Sequence, residues 1–383
     1  MKVLVACDKF KGSLTAAEAC ASIAAGFREG AGSDLEIREL PVADGGDGIA
    51  ATLLAAMGGE WVETEVRGPL GDPVRAGFAL VGGGRSAVVE MAQASGLVLL
   101  GDGERDPWAA STYGTGQLLR EAAARGAGEI LLGIGGSATN DGGSGMAEAL
   151  GFRFEDAGGD ALADLPLGLE RAARLVSPAR LVLPPVTVAC DVVNPLLGAE
   201  GCTRVYGPQK GIAPEDFAAH EERLDRLVSL AGAAGHEAAD LPGAGAAGGL
   251  GFGAVVFLGA KLVPGFDLVA GRIGLESAVL WADLVVTGEG GLDDQSLRGK
   301  GPHGVVRLAR RLGKPTAAFC GCLGATGLEE EFGEIVEIRD PAASLSENLA
   351  RGGERLHAAA ADFAARSLRG DAGGRTSGEA PGR

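Results

Sequence analysis

Apolar positions in the first 57 residues alternate between short continuous runs and stretches with a helical period. Residues 3–7 form a continuous apolar run, which is typical of a buried strand. Thr15 and Glu18 have the spacing of a capping box, which begins a helix. The same order recurs with a strand around residues 35–42 and a helix near residues 49–57. This strand–helix alternation predicts an α/β sheet.

Beyond residue 60 the strand patterns lie closer together, with Gly and Pro between them, which favours antiparallel pairing. These patterns lie at residues 61–66, 74–81 and 87–91. After residue 91 the predicted elements are again spaced farther apart along the chain. Strands are predicted at residues 130–132, 186–189, 283–287, 315–319 and 334–338, and helices at residues 113–124, 214–231, 249–262, 302–312 and 344–368.

The return of parallel-strand patterns late in the chain predicts a discontinuous domain. We expect a Rossmann-like parallel-sheet domain from residues 1–60 and 281–369, with a mixed α/β domain of residues 61–280 inserted into it. Residues 370–383 consist of Gly, Ser, Pro and charged residues with almost no apolar side chain, so a disordered tail is expected there.

The composition indicates a globular protein without a nucleic-acid or membrane partner. Of the 383 residues 46% are hydrophobic and 4% aromatic, and the formal net charge is −17. Nucleic acids and anionic membranes attract clustered Lys and Arg, which this charge balance does not supply. The chain enters a strand directly, without the apolar region of a signal peptide, and no apolar run reaches the length of a membrane span. Six cysteines without a CxxC pair predict reduced thiols in a cytoplasmic protein.

A glycine-rich loop at residues 133–145 follows the apolar run at residues 130–132 and precedes a helical pattern. Glycines allow tight turns and close approach to a ligand, and the N–H groups at the start of a helix attract anions. The residues expected to bind phosphate or carboxylate here are Gly135, Gly136, Ser137, Thr139, Asn140 and Asp141. Turn formation and helix capping by the same side chains is the structural alternative.

Three further segments frame ionisable residues with glycine, at residues 8–13, 44–48 and 288–295. Each follows an apolar, strand-like run. Ligands of open α/β sheets bind at the carboxyl ends of strands, so these segments predict one shared crevice.

These segments supply the groups that phosphoryl transfer needs, namely cations, phosphate donors, carboxylates for Mg²⁺ and a base. Lys9 and Lys11 are candidates to stabilise the transferred group, and Asp191, after the strand at residues 186–189, is the candidate base. Glu289 and Asp293, together with Asp294, form a carboxylate cluster suited to Mg²⁺. The other candidates for substrate or phosphate binding are Ser13, Asp44, Asp47 and Lys210.

The same residues are also compatible with two other classes of function. Residues 243–248 match G-x-G-x-x-G, which favours a nucleotide-dependent oxidoreductase, but Pro242 precedes them where a Rossmann unit has a strand. A non-catalytic sensor of small anionic metabolites would also keep the crevice, although it has no need of the metal-binding carboxylates. A P-loop is excluded, because no GxxxxGK[ST] occurs.

Taken in order, the motifs resemble the bacterial glycerate kinases of the glycerate kinase type-1 family. They lie at residues 8–14, 43–48, 133–145, 189–196, 207–211, 241–251 and 287–300. The resemblance extends from residue 1 to about residue 368. It implies a two-domain α/β enzyme that transfers the γ-phosphoryl group of ATP to D-glycerate with Mg²⁺, usually yielding 2-phosphoglycerate and ADP. We expect the active site in the cleft between the domains, and a monomer or homodimer.

Two positions depart from the pattern of the family. Gly291 stands where relatives often have Arg, and Val193 where an acidic or polar residue is frequent. If either position contacts a ligand, affinity or substrate choice is expected to differ.

Overall fold

The computed structural model describes residues 1–32, 34–43, 48–101, 103–163, 165–293, 301–325 and 327–367. They form a mixed α/β fold with parallel and mixed sheets. Two compact units can be separated: unit 1 consists of residues 1–43 and the described residues from 270 onward, and unit 2 lies within residues 44–269. The predicted domain boundaries after residues 60 and 280 stay a prediction, and the predicted tail, 370–383, lies outside the described residues.

The strands are β1 Lys2–Val5, β2 Glu36–Glu39, β3 Gly59–Arg67, β4 Pro73–Val81, β5 Ser86–Glu90, β6 Glu129–Gly133, β7 Arg153–Glu155, β8 Arg174–Val176, β9 Val186–Ala189, β10 Lys261–Val263, β11 Leu284–Leu292, β12 Thr316–Leu323 and β13 Glu334–Glu337. The helices are α1 Ala16–Ala31, α2 Ile49–Met57, α3 Ala92–Ser95, α4 Tyr113–Ala124, α5 Ser144–Ala149, α6 Cys202–Tyr206, α7 Phe217–Leu230, α8 Gly232–Ala239, α9 Ala246–Leu258, α10 Gly265–Ile273, α11 Leu275–Trp281, α12 Gly301–Arg311, α13 Glu329–Phe332, α14 Leu345–Ala350 and α15 Gly352–Ser367. Short 3-10 turns lie at Leu97–Leu99, Leu167–Arg171, Pro208–Lys210 and Pro214–Asp216.

Unit 1 contains a parallel sheet with the strand order β13-β12-β11-β1-β2. Strand β1 pairs with the central strand β11, and Val3 of β1 lies opposite Leu284 of β11. The chain leaves β1 toward β2 on one side and leaves β11 toward β12 and β13 on the other, so the strand order reverses between β1 and β11. Such a reversal is the usual ligand-binding position of an open α/β sheet.

Helices α1 and α15 pack against each other in unit 1 with unusually close backbones. A Cβ atom added at Gly26 would lie 2.3 Å from the carbonyl oxygen of His357, and one at Gly30 would lie 2.1 Å from that of Ala361. Only glycine permits this approach. The predicted capping box of α1 is confirmed, since the Thr15 hydroxyl accepts from Glu18 N while the Glu18 carboxylate accepts from Thr15 N.

Unit 2 contains a mixed sheet with the order β10-β9-β6-β5-β4-β3. The predicted antiparallel pairing of the closely spaced strands β3, β4 and β5 is confirmed. Strands β5, β6, β9 and β10 pair in parallel, so their carboxyl ends lie at one edge. Helix α2 packs on β3, β4 and β5.

Two helix predictions were wrong in part. The helix predicted at residues 344–368 is divided into α14 and α15 at Arg351. A Cβ atom at Gly352 would lie 2.1 Å from the Ser13 hydroxyl, so the break lets the loop after β1 approach the backbone. The helix predicted at residues 249–262 ends at Leu258, where Gly259 adopts a left-handed conformation with φ +64°, and the next residues form β10. No described helix is both long and apolar enough to cross a membrane.

Candidate functional site

Candidate residues of unit 1 follow β1 directly. The strand is extended past its last residue by hydrogen bonds to β11, from Ala6 N to the Val286 carbonyl and from Asp8 N to the Gly288 carbonyl, at 2.7 and 2.9 Å. Asp8 is buried, whereas Lys9 is half-buried and Lys11 is exposed. The predicted cations therefore lie just after the carboxyl end of β1.

Ser13, predicted to bind substrate or phosphate, forms a structural contact in this loop. Its hydroxyl donates a 2.6 Å hydrogen bond to the carbonyl oxygen of Leu349 in α14. Ser13 therefore ties the loop after β1 to α14.

Glu289 and Asp293, the predicted magnesium ligands, lie four residues apart on β11 and just past its end. At about 3.3 Å per strand residue their Cα atoms are roughly 13 Å apart, and their role as magnesium ligands stays a prediction. Within the described residues no group of three or more His, Cys, Asp or Glu is placed to hold a metal. A single carboxylate fits Mg²⁺, which keeps several waters and also binds substrate phosphates. Asp294, Asp44 and Asp47 lie outside the described residues.

The glycine-rich loop after β6 is largely buried, with Thr139, Asn140 and Asp141 no more than 2% exposed. The Asp141 carboxylate accepts hydrogen bonds from Gly143 N and Gly145 N, at 3.0 and 3.2 Å, where α5 begins. It also accepts from the backbone N–H and the hydroxyl of Thr112, at 2.8 and 2.7 Å. The N–H groups of Gly143 and Gly145 at this helix start thus bind an anion that the chain itself supplies.

The earlier part of the same loop is accessible. Gly136 is exposed with φ +71°, and Gly135 is half-buried. Ser137 is 7% exposed, and the neighbouring Ala138 N donates to the carbonyl of Ser95 at 2.9 Å. The accessible backbone of the loop is therefore at Gly135 and Gly136.

Lys210 lies beneath this loop and is only 2% exposed. Its Nζ donates a 2.7 Å hydrogen bond to the carbonyl oxygen of Thr139. Burial lowers the pKa of Lys210 from 10.5 to about 8, although the nearby Cys202 and Asp141 act in the opposite direction. Lys210 was predicted to bind substrate or phosphate, and the contact that it makes here is to the loop itself.

This buried lysine predicts a specific pH dependence of stability. Between pH 8 and 10.5 the unfolded state holds the Lys210 proton and the folded state does not, so this group makes the free energy of unfolding rise with pH, by at most about 1.4 kcal/mol per pH unit. Below pH 8 both states are protonated and the cost of burying the charge is fully present. Urea unfolding of wild type and Lys210→Met at pH 7, 8 and 9 is expected to show wild type gaining on the variant by about 1 kcal/mol at pH 9.

The matched control is Lys261→Met, a substitution at an exposed lysine of unit 2. The buried thiol of Cys320, whose pKa burial raises to about 12, lowers stability above about pH 9 in wild type and variant alike. A stability difference between wild type and Lys210→Met that stays constant from pH 7 to 9 would contradict the lowered pKa.

Asp191, the candidate base, follows β9 and is exposed. One of its oxygens, Oδ1, accepts a 2.8 Å hydrogen bond from Gly265 N at the start of α10. Val193, the departure from the family pattern, is 76% exposed. The carboxylate of Asp191 is therefore oriented by a helix start and still reaches the surface.

Three neighbouring strand ends of unit 2 bring its candidate groups to one edge. The register aligns Glu90 of β5 with Gly133 of β6, and Gly133 with Ala189 of β9. The glycine-rich loop and Asp191 consequently leave the sheet side by side.

Glu90 was missed from the sequence. Its Oε1 accepts from Gly48 N and Ala50 N, at 2.8 and 3.0 Å, and so caps α2 directly after the motif at residues 44–48. An acidic residue that ends a continuous apolar strand was the available signal.

The glycines at residues 243–248 have a packing function. A Cβ atom at Gly248 would lie 1.9 Å from the carbonyl oxygen of Thr139, and one at Gly245 would lie 2.2 Å from that of Pro195. Gly142 N donates to the Gly248 carbonyl at 3.0 Å. This G-x-G-x-x-G segment packs closely against the glycine-rich loop. The close packing accounts for its glycines without a bound dinucleotide.

Comparison with known proteins decides the family. A sequence model described as the glycerate kinase family matches residues 3–368. The chain belongs to the glycerate kinase family. A glycerate kinase from Halalkalibacterium halodurans is 42% identical over 94% of this chain and 97% of its own length. A glycerate 2-kinase from Escherichia coli is 41% identical over 84% of this chain and 86% of its own length.

A solved structure from Salmonella typhimurium LT2 matches with a TM-score of 0.87 at 40% identity, over 97% of this chain and 99% of that one. The resemblance to glycerate kinases is thus confirmed, as is the mixed α/β fold. As a glycerate kinase family member, the protein is a phosphotransferase, which disfavours the oxidoreductase and the sensor.

Proposed function

We propose that this protein transfers the γ-phosphoryl group of ATP to the 2-hydroxyl of D-glycerate, giving 2-phosphoglycerate and ADP. The observation that carries the proposal is the match to glycerate kinases over nearly the whole chain, at 40% identity or more in several bacteria. The name of the Escherichia coli relative, glycerate 2-kinase, favours the 2-hydroxyl as acceptor. We further propose a cytoplasmic enzyme that acts as a monomer or homodimer.

In the proposed reaction Asp191 takes the proton of the glycerate hydroxyl. The hydroxyl oxygen then bonds to the γ-phosphorus, and the bond from that phosphorus to the β–γ bridging oxygen breaks, so that ADP leaves. What supports Asp191 is its exposed carboxylate at a strand end, beside the glycine-rich loop, with its orientation fixed by Gly265 N.

Cations and backbone donors would bind the charged groups of both substrates. Lys9 and Lys11 are proposed to offset phosphate charge, and the backbone at Gly135 and Gly136 to bind an anionic group. Lys210 and Asp141 would hold this loop in shape from within, since both contact the loop in the buried interior. Mg²⁺, held by Glu289 or Asp293 together with the phosphates, would supply neutralisation of the phosphate charge.

Part of the proposal is a two-domain enzyme in which both units supply groups to one reaction. Its support is that parallel strands of each unit end in polar segments, after β1 and β11 in unit 1 and after β6 and β9 in unit 2.

The test is an ADP-release assay with MgATP and one of four acceptors: D-glycerate, L-glycerate, glycerol or water. Turnover confined to D-glycerate is expected, and the phosphorus NMR shift of the product identifies the phosphorylated hydroxyl. A product carrying phosphate on the 3-hydroxyl would overturn the proposed position. Absence of turnover with every acceptor, from protein whose circular dichroism shows it folded, would overturn the kinase.

A further inference from the structure

A cavity of about 290 Å³ lies within unit 1, at the carboxyl ends of β1, β11, β12 and β13. Phe10 and Lys11 from the loop after β1 line it, as do Gly290 of β11 and Cys322 of β12. Leu349 of α14 is a further lining residue. Its volume is near the lower bound, about 300 Å³, of pockets that bind small molecules, so it suits a compact ligand or one part of a larger one.

The position of this cavity matches the reversal of strand order between β1 and β11. Phe10 and Lys11 follow β1, and Gly290 belongs to β11, so the cavity spans the reversal itself. In open α/β sheets the crevice outside the carboxyl ends of the strands at this position binds the ligand.

Much of the cavity lining is apolar or backbone. Phe10, Ile338 and Leu349 contribute apolar side chains. Gly290 and Gly321 also line the cavity and have no side chain. The lining at these two positions is backbone alone, which a planar ring can approach closely. Glycerate, a small polar acid, has no face that matches such walls.

The rim of the cavity is cationic. Lys11 and Arg339 both line it and both have exposed side chains. In the described part of the chain neither forms an ion pair with a carboxylate. A ligand that is planar and apolar at one end and anionic at the other matches these walls and this rim.

The walls are held in place by hydrogen bonds. The Ser13 hydroxyl joins the loop after β1 to Leu349 at 2.6 Å. The Asn348 side-chain amide donates to the carbonyls of Asp340 and Ala343, at 3.0 and 3.2 Å, which fixes the turn between β13 and α14. The cavity is thus formed before any ligand arrives.

We propose that this cavity binds the adenosine part of ATP and ADP, with Lys11 and Arg339 directed to the phosphates. The inference rests on the proposed kinase function, because that function requires a nucleotide. It assigns the nucleotide to unit 1 and separates the role of Lys11 from that of the glycine-rich loop in unit 2.

Cys322 provides a direct readout, because its half-buried thiol lines the cavity. Cys190, a half-buried thiol of unit 2, is the internal control. The full-length protein is alkylated with iodoacetamide in the presence of ADP, adenosine or D-glycerate, and labelling of each cysteine is followed by peptide mass spectrometry. ADP at ten times its dissociation constant is expected to slow labelling of Cys322 about tenfold by occupancy, with no effect on Cys190. Adenosine is expected to protect Cys322 as well, and D-glycerate is not.

A substitution gives a second, independent measurement. Cys322→Phe places an aromatic ring in the space assigned to the adenine ring of ATP. It is expected to raise KM for ATP about tenfold or more, with KM for D-glycerate unchanged. Val182→Phe, which adds the same ring at a position 67% exposed in unit 2, is the control. An equal rise in both KM values, or none in KM for ATP, would overturn the assignment.

Equilibrium dialysis with radiolabelled ADP and the ADP-release assay, run in parallel, separate failure of this inference from failure of the kinase. If ADP binds and D-glycerate is phosphorylated while Cys322 labelling stays unchanged, the cavity assignment is overturned and the kinase stands. If ADP neither binds nor is released, both are overturned. Protection of Cys322 by D-glycerate alone would make the cavity the acceptor site and would overturn the assignment.

Discussion

The Asp191→Asn variant is expected to lose about 10²–10⁴-fold in kcat for D-glycerate phosphorylation while keeping the stability of the wild-type protein. The reason is that this side chain has two roles, accepting a structural hydrogen bond and taking a proton, and they depend on different properties of its oxygens. Oδ1 accepts the 2.8 Å hydrogen bond from Gly265 N, and an asparagine carbonyl oxygen accepts the same bond. The neutral amide has no basic oxygen to take the hydroxyl proton, so only the chemical step is affected.

Asp191→Ala separates the structural role from the chemical one. It removes the cap of α10 along with the base, so a loss of about 1 kcal/mol in the free energy of unfolding is expected in addition to the loss of kcat. Asp267→Asn, an exposed carboxylate in the first turn of the same helix, is the matched control. Steady-state kinetics and urea unfolding of the three variants measure both effects. A kcat for Asp191→Asn equal to that of Asp267→Asn would remove Asp191 from the role of base.

The Asp141→Ala variant is expected to lose at least about 3 kcal/mol in the free energy of unfolding, because three buried N–H groups lose their acceptor at roughly 1–3 kcal/mol each. These groups belong to Thr112, Gly143 and Gly145, and Asp141 itself is 0% exposed, so water cannot replace the carboxylate without opening the loop. A loss of this size is a large part of the stability of a typical protein, about 5–15 kcal/mol. Urea unfolding measures this loss. Kinase activity is expected to fall as well, because the glycine-rich loop loses its conformation.

Asp156 offers a matched comparison on the surface of the same unit. Its Oδ1 accepts from Gly158 N and Asp160 N, at 2.8 and 3.1 Å, in an exposed turn. Because water can satisfy those two N–H groups, Asp156→Ala is expected to cost less than about 1 kcal/mol. Equal losses for the two variants would show that burial of the Asp141 carboxylate does not increase its contribution to the free energy of unfolding.

Local patterns predicted the elements whose determinants lie within a few residues. The capping box at Thr15 and Glu18, and the antiparallel strands β3 to β5, depend on neighbours in sequence, and both are confirmed. Strand β10 was missed because its three residues are strand only through parallel pairing with β9, more than 70 residues earlier in the chain. The break between α14 and α15 was missed because the Ser13 side chain that approaches Gly352 comes from the other end of the chain.

The candidate site was predictable in its chemistry more than in its contacts. The glycine-rich loop does place N–H groups at a helix start, but the anion at Gly143 and Gly145 is Asp141, whose further donor Thr112 lies 29 residues earlier. Lys210 stands between Gln209 and Gly211 in a segment that reads as exposed, and tertiary packing alone buries it. Asp44 and Asp47 stay a prediction, as do the roles of Lys9, Glu289 and Asp293.

The pairing of β1 with β11 also sets the earliest time at which this sheet can form during synthesis. Val3 can pair with Leu284 only after the roughly 280 intervening residues have been synthesised, which takes about 14–56 s at about 5–20 residues per second. Residues 44–269 leave the ribosome as one continuous segment during that interval, so unit 2 can acquire its fold while β1 still lacks a partner on one side. Pausing during translation of unit 2 therefore lengthens the time for which an apolar strand edge of the nascent chain stays accessible to chaperones and to other chains.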